Sequence, residues 1–169
     1  MALIETERLF LRKITVNDAT FMLDLLNQPS FIQFIGDRGV RTLDDAREFI
    51  LTRYIAAYER LGFGLYLTLL RESQTPIGIC GLVKRDGLDD VDVGYAFLPQ
   101  YWSKGYASES VSAVLAYARN TLGIHRILGI TTPDNISSIR VLEKAGLEFE
   151  RMIKLAGDES ELKLFASES

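Results

Sequence analysis

The segment Val91-Asp92-Val93-Gly94-Tyr95-Ala96-Phe97-Leu98-Pro99-Gln100-Tyr101-Trp102-Ser103-Lys104-Gly105-Tyr106-Ala107 runs from a strand pattern through a small-residue loop into a helix pattern. Such a passage is suited to an anion. The unpaired backbone N–H groups at a helix start point outward and the helix dipole favours negative charge there, each effect contributing up to about 1 kcal/mol at exposed sites. Gly105 and Ala107 let a diphosphate approach the backbone closely, and Lys104 adds positive charge. Taken alone, the same residues also fit an ordinary strand-to-helix loop. The loop is neither the G-x-x-x-x-G-K of nucleoside triphosphate sites nor the G-x-G-x-x-G of dinucleotide sites.

The elements that must position this loop are legible along the chain. Leu9 to Ile14 reads as a first strand, and Val16-Asn17-Asp18 offers a cap for a helix over Ala19 to Leu26. A second helix starts near Thr42-Leu43-Asp44-Asp45, with Ala46, Phe49, Ile50, Tyr54 and Ala57 at helical spacing. Gly64 to Leu70, Ile77 to Lys84 and Val91 to Phe97 follow as strands, and their short turn-rich connections make them antiparallel. Ala107 to Leu122 then forms a long amphipathic helix, and Arg126 to Thr131 a strand that should run parallel to its predecessor across that helix. A last helix, Ser137 to Ala145, stops at Gly146, and Leu147 to Leu155 and Leu162 to Phe165 supply the final strands.

Composition sets outer bounds. At 169 residues, with 47% hydrophobic and 25% charged residues and no Pro/Gly/Ser linker, the chain reads as one soluble globular domain over residues 1–169. Its longest charge-free run, Leu25 to Gly36, has 12 residues including Asn, Gln, Pro and Ser, against the roughly 18 apolar residues of a spanning helix. The N-terminal residues carry acids early and lack the pattern of a secretory signal, so a cytoplasmic protein is expected. One Cys and one His provide neither an internal disulfide nor a zinc cluster, so no metal is expected. The net charge of -4 gives no general attraction to nucleic acid or acidic membranes, and it mildly disfavours a strongly acidic acceptor unless a local basic groove overturns it.

A second segment, Asn135-Ile136-Ser137-Ser138-Ile139-Arg140-Val141-Leu142-Glu143-Lys144-Ala145-Gly146, narrows the reading. Together with the loop, and with Glu5-Thr6-Glu7-Arg8-Leu9-Phe10-Leu11-Arg12 as an opening strand, it closely resembles the GNAT superfamily of acyl-CoA-dependent N-acetyltransferases, and within it the RimJ/RimL-like branch. The resemblance implies an α/β fold: a mixed, mostly antiparallel twisted sheet with a central parallel strand pair and helices on both faces. The superfamily's pyrophosphate pattern, Q/R-x-x-G-x-G/A, falls on Trp102-x-x-Gly105-x-Ala107, with Trp102 in place of Gln or Arg as that branch often has it. By this resemblance acetyl-CoA is the cofactor, and the backbone of Ser103, Lys104, Gly105, Tyr106 and Ala107 carries its diphosphate. The pantetheine arm pairs with backbone groups of Phe97 and Leu98 in a gap between the parallel strands, faced by Asn135 and Ser138. A helix N-cap and first-turn residue are the structural alternatives for those two.

Acetyl transfer needs a neutral amine and a proton for the departing thiolate. An α-amino group near pKa 7.8 is about one-seventh neutral at pH 7 and a lysine near 10.4 about one part in 2,500, a gap of roughly 3.5 kcal/mol, so a site with a weak base suits α-amines. Asp92 is the candidate base, where the resembled family usually carries Glu. Strand alternation puts Asp92, Gly94 and Ala96 on one face, and the alternative for Asp92 is a solvated strand-end carboxylate beside Asp89 and Asp90. Many family members place a Tyr on the last helix as acid; no Tyr follows Tyr117 here, so Ser138 is the candidate. Glu109 reads as structural, His125 and Cys80 as packing residues, and Tyr54, Tyr58, Phe63 and Tyr66 either as core or as the border of an acceptor pocket.

The reading is therefore an N-acetyltransferase acting on a primary amine, with a protein N-terminal α-amine expected. Its rivals are the same chemistry on an amino acid, polyamine or drug, and a non-catalytic acyl-CoA-binding module. No nucleic acid or membrane partner is expected, and the chain is expected to act as a monomer or homodimer.

Overall fold

In the computed structural model, which describes residues 2–155, 157 and 159–167, the strands form one eight-stranded sheet. In chain order they are β1 (Ile4–Glu5), β2 (Leu9–Lys13), β3 (Leu65–Leu70), β4 (Pro76–Val83), β5 (Asp92–Phe97), β6 (Ile127–Thr131), β7 (Glu148–Ile153) and β8 (Leu162–Ser167). Their spatial order is β1-β2-β3-β4-β5-β6-β8-β7, and every neighbouring pair is antiparallel except β5 and β6. That is the mixed sheet with one central parallel pair that the sequence predicts.

The helices are α1 (Ala19–Leu26), α2 (Pro29–Phe34), α3 (Leu43–Phe49), α4 (Ala56–Leu61), α5 (Tyr106–Tyr117) and α6 (Ile136–Lys144). Thr42 caps α3 through a reciprocal box in which its Oγ1 accepts from Asp45 N and the Asp45 carboxylate accepts from Thr42 N. α3 passes into α4 through a π-helical turn, Ile50–Ile55, and α5 ends in another, Ala118–Leu122. These two turns and α2 are not foreseen by helical periodicity: a π turn adds a residue within an otherwise continuous stripe, and α2 leaves Ile32 and Phe34 exposed. Among the described residues no helix is long and apolar enough to cross a membrane.

β4 is the central strand, buried along most of its length because α5 packs across it and β5. Its two glycines permit close backbone approach: a Cβ at Gly81 would stand 2.1 Å from the Gly64 carbonyl oxygen, and one at Gly78 2.4 Å from that of Ala96. Tyr66, Cys80 and Tyr95 are cross-strand neighbours on one face. Tyr66 meets the ring of Tyr117 of α5, Cys80 bonds Ser110 of α5, and Tyr95 bonds Ser138 of α6. That face therefore lies under α5 and α6. Asp92, Gly94 and Ala96 alternate onto the opposite one.

Candidate active site

Two local features build the site. The first is the parting of β5 from β6. Leu128 N donates to Val91 O at 2.9 Å and Asp92 opposes Leu128, but no further residue pair joins the two strands, whereas β4 and β5 share six. Alternation assigns the backbone groups. Leu98 N donates to Ile77 O on the β4 side and Leu98 O accepts from Tyr101 N, so both Leu98 groups are occupied. The groups of Tyr95 and Phe97 point the other way, into the gap. The Phe97 carbonyl there accepts the indole N–H of Trp102 at 2.9 Å. The expectation of Phe97 and Leu98 as the gap's pairing residues is thus corrected to Tyr95 and Phe97, because strand parity turns Leu98 toward β4.

The second feature is the loop at the gap's end. A 3-10 turn, Pro99–Tyr101, leads into Trp102, Ser103 with φ 62 and Gly105 with φ 84, the latter being the N-cap of α5. No side chain caps this helix, so its first N–H groups stay available. Ser103, Lys104 and Gly105 are exposed and Tyr106 and Ala107 half-buried. Arg8 lies over the loop from the β1–β2 turn: it donates to Lys104 O at 2.9 Å, stacks 4.4 Å from the Tyr106 ring centroid and pairs with Glu109 at 2.7 Å. Glu109 also accepts from Thr6 Oγ1 and Arg8 N. Burial works to raise its pKa, but these hydrogen bonds prevail and hold it below the ordinary carboxylate value. The carboxylate is thereby turned to the β1–β2 side and serves as a brace.

On the α6 side of the gap, Asn135 caps the helix, its Oδ1 accepting from Ser138 N at 3.2 Å. Ser138 Oγ lies 2.8 Å from the Tyr95 hydroxyl. Burial pushes the Tyr95 phenol up to about 12, so at neutral pH it stays protonated. Sequence reading missed Tyr95 as a polar group of the site, although its parity with Phe97 was the available signal.

Asp92 faces away from Ser138, on the other side of the sheet. It is not a solvated strand-end carboxylate: its side chain is 1% exposed, and both carboxylate oxygens accept from Arg85 Nε, at 3.1 and 3.0 Å. Burial raises its pKa to about 6, with Arg85 opposing the rise. Its neighbour Asp90 pairs instead with Arg126 at 3.2 Å. Asp92 and Ser138 thus lie on opposite faces of the sheet, Asp92 at the residue pair where β5 and β6 are still joined and Ser138 beside Tyr95 further along β5.

The remaining sequence candidates fall outside this chemistry. Cys80 is buried and its thiol is pushed up to about 12 by burial, which leaves it inert. His125 is exposed before β6 and does not pack in the core. Tyr58 and Tyr66 stack at 5.7 Å, and Tyr58 accepts from Ile14 N, so both belong to the core; Tyr54 is buried in the π turn and Phe63 half-buried.

Residues 8–148 match the family model described as "Acetyltransferase (GNAT) domain". The chain is 30% identical over 151 residues to the Uncharacterized N-acetyltransferase YnaD of Bacillus subtilis (strain 168), covering 89% of this chain and 85% of that protein. It is similar in structure to a GNAT-family acetyltransferase from Bacillus anthracis, with a TM-score of 0.79 at 27% identity over 96% of each chain. It also shares its fold with RimL, a ribosomal L7/L12 alpha-N-protein acetyltransferase solved with coenzyme A, with a TM-score of 0.80 at 19% identity over 98% of this chain and 97% of that one. The parted parallel strands, the uncapped helix and this sequence match lead to one assignment: the chain belongs to the GNAT acetyltransferase family.

Proposed function

We propose that this chain transfers the acetyl group of acetyl-CoA to the α-amine of a protein N-terminus, as RimJ/RimL-like enzymes do. The observation that carries the reading is the gap between β5 and β6, open after a single residue pair and ending at an uncapped α5 N-terminus. The residues suit the cofactor. Backbone N–H groups from Ser103 to Ala107 form the diphosphate site, and Lys104 is exposed beside it. Backbone groups of Tyr95 and the Phe97 N–H face the gap as an unpaired strand edge, the pattern to which a pantetheine amide adds.

In this reading Asp92 takes the proton that the amine loses as its nitrogen bonds to the thioester carbonyl carbon, directly or through water. A gap N–H holds the carbonyl oxygen while it carries negative charge. When the C–S bond breaks, the thiolate takes a proton from the Ser138 hydroxyl, which draws its replacement from solvent. One buried carboxylate with a pKa of about 6 is a modest base, which suits an amine already partly neutral at pH 7 rather than a lysine.

The test is free-thiol release from acetyl-CoA with a panel of N-terminal peptides, polyamines, amino acids and aminoglycosides, alongside a thermal shift with acetyl-CoA. Release with peptides that have a free α-amine and not with their acetylated forms supports the reading. Release with polyamines or aminoglycosides alone replaces it by a small-amine activity, and a thermal shift with no release by any amine supports a binding module.

A further inference from the structure

Arg8 stands between two openings at the start of α5. One, of about 440 Å³, is bordered by Glu7, Arg71 and Glu72 as well as Arg8 and Tyr106, so its two carboxylates offset its two guanidinium groups. The other, of about 300 Å³, is a groove along one flank of α5, lined by Arg8, Gly105, Ser108, Glu109, Ser112 and Lys144. Its volume is at the small end of the range for ligand sites. Gly105, Ser108 and Ser112 follow one another at spacings of three and four residues, the period of a single helix face. Lys144, the last residue of α6, borders the same groove from the neighbouring helix.

The groove carries net positive charge. Its carboxylate, Glu109, is committed: one oxygen accepts from Arg8 Nε at 2.7 Å and the other from Thr6 Oγ1 and Arg8 N. Arg8 donates Nη1 to Lys104 O at 2.9 Å, and its Nη2 lies over the helix start, 3.2 Å from where a Cβ on Gly105 would stand. No carboxylate pairs with Lys144 among the described residues. Arg8 and Glu109 offset each other, which leaves the Lys144 charge and the positive end of the α5 dipole at one opening. Ser110, on the inner flank of α5, donates its hydroxyl to Ala107 O, whereas Ser108 and Ser112 border the groove. Cationic and hydroxyl donors gathered around one opening fit an oxyanion.

We propose that this groove binds the 3′-phosphate of coenzyme A between Arg8 Nη2 and the Lys144 ammonium, with the Ser108 and Ser112 hydroxyls as further donors, so that the protein selects 3′-phosphorylated coenzyme A over its dephospho form. This rests on the reading of Ser103 to Ala107 as the diphosphate site. The pantetheine arm leaves that diphosphate for the β5–β6 gap, which Ser138 closes near the start of α6. The ribose leaves on the other side. Lys144 lies six residues after Ser138, about 9 Å along the helix and at its far end from the gap. The groove begins at Gly105, within the diphosphate run, and Ser112 stands seven residues on, about 10 Å along α5. A phosphate monoester carries a charge of about −1.5 to −2 at pH 7, which two cations from separate segments can match.

The experiment titrates the protein by calorimetry with coenzyme A and with 3′-dephospho-coenzyme A, and repeats both titrations in Lys144→Gln and Arg8→Lys. Coenzyme A should bind the parent about 10- to 100-fold more tightly than the dephospho form, and the ratio should shrink as salt is raised. Lys144→Gln should cut that ratio about three- to tenfold while the dephospho affinity and the melting temperature stay the same, a split that a merely structural lysine would not produce. Arg8→Lys keeps the charge but loses the fork that also holds Lys104 O, so it should weaken both ligands, and coenzyme A the more. Equal binding of the two forms by the parent overturns the inference and leaves the acetyltransferase reading standing. A ratio that persists undiminished in Lys144→Gln places the 3′-phosphate outside this groove and overturns it as well. Failure of both forms to bind would overturn the diphosphate reading together with it.

Discussion

The Tyr95 hydroxyl on β5 and Ser138 Oγ on α6 lie 2.8 Å apart, so the strand that edges the gap and the helix that closes it meet through two hydroxyl groups. With its pKa pushed up to about 12, the phenol is a poorer acid than a thiol and cannot itself be the favoured proton source. Its effect is positional: it fixes the Ser138 rotamer and the direction of its lone pairs. Ser138→Ala should lower kcat about 10- to 100-fold with the KM for acetyl-CoA within about threefold, as expected for loss of general acid help. Tyr95→Phe should lower kcat by less, about three- to tenfold, and should add nothing in the Ser138→Ala background. Additive effects in the double-mutant cycle would separate the two hydroxyls and remove the positioning role.

Asp92 ties activity to stability in opposite directions. Its folded pKa of about 6 lies above the ordinary value of 3.8, so between those two values the folded state holds a proton that the unfolded state has lost. Stability is therefore greatest below pH 4, as far as this group is concerned, and falls as pH rises through 6, by about 3 kcal/mol for a shift of about 2 units. Activity needs the ionised form and rises over the same interval. Asp92→Asn should flatten the thermal stability profile between pH 4 and 7 and raise the melting temperature at pH 7.5 by several degrees, despite leaving Arg85 without its partner, because Arg85 reaches solvent. The same variant should lose kcat/KM about 100-fold and lose the rise with apparent pKa near 6. A variant that is less stable than the parent at pH 7.5 would show that the Arg85 ion pair outweighs the cost of burying the charge.

The order of elements from β3 to α6 was legible because hydrophobic alternation switches to helical spacing at recognisable turns, and Thr42 and Gly146 mark a helix start and stop. The parallel pairing of β5 and β6 followed from the intervening helix. What could not be read were contacts across the sheet. Tyr95 and Ser138 are separated by 43 residues, and nothing local records that their hydroxyls meet. Asp92 sits in a run with Asp89 and Asp90 that looks solvated as a string of letters; only the fold shows Arg126 taking Asp90 while Asp92 turns inward to Arg85. Leu98 was misassigned by one residue, and in a strand one residue is a change of side.

Gly105 holds the loop in a shape that an L-residue resists. With φ 84 at the N-cap of α5, and a Cβ there 3.2 Å from the Arg8 guanidinium, Gly105→Ala meets both backbone strain and the brace over the loop. The expected cost in stability is about 1 to 2 kcal/mol. Because the strained residue lies within the run Ser103 to Ala107 whose N–H groups are read as the diphosphate site, the larger effect should be on the cofactor: a Kd for acetyl-CoA raised about tenfold by calorimetry. Trp102→Phe is the companion variant. It keeps a ring but removes the indole donor to the Phe97 carbonyl, so acetyl-CoA should bind a few-fold more weakly with little change in melting temperature. An unchanged Kd in both would detach this loop from the diphosphate.

Gly81 tests whether the gap depends on the sheet behind it. A Cβ at this position would lie 2.1 Å from the Gly64 carbonyl oxygen and 2.8 Å from the Leu65 Cα, both backbone atoms that no rotamer change can move. Leu82 N donates to that same Gly64 carbonyl at 3.0 Å, so relief of the clash breaks a ladder bond at the start of β3. Gly81→Ala should therefore cost at least about 3 kcal/mol, beyond the usual range for a single added methyl group in a core. Gly94, opposite Gly81 on β5, differs: its added Cβ would meet only Leu65 Cδ2 and Val83 Cγ2, each at 3.5 Å, an ordinary contact with movable side chains. Gly94→Ala should change stability by less than about 1 kcal/mol. The pair of denaturation curves separates backbone approach from strand propensity, since both substitutions replace glycine in a strand by the same residue. Equal losses at the two positions would assign the cost to the strand rather than to the contact with Gly64.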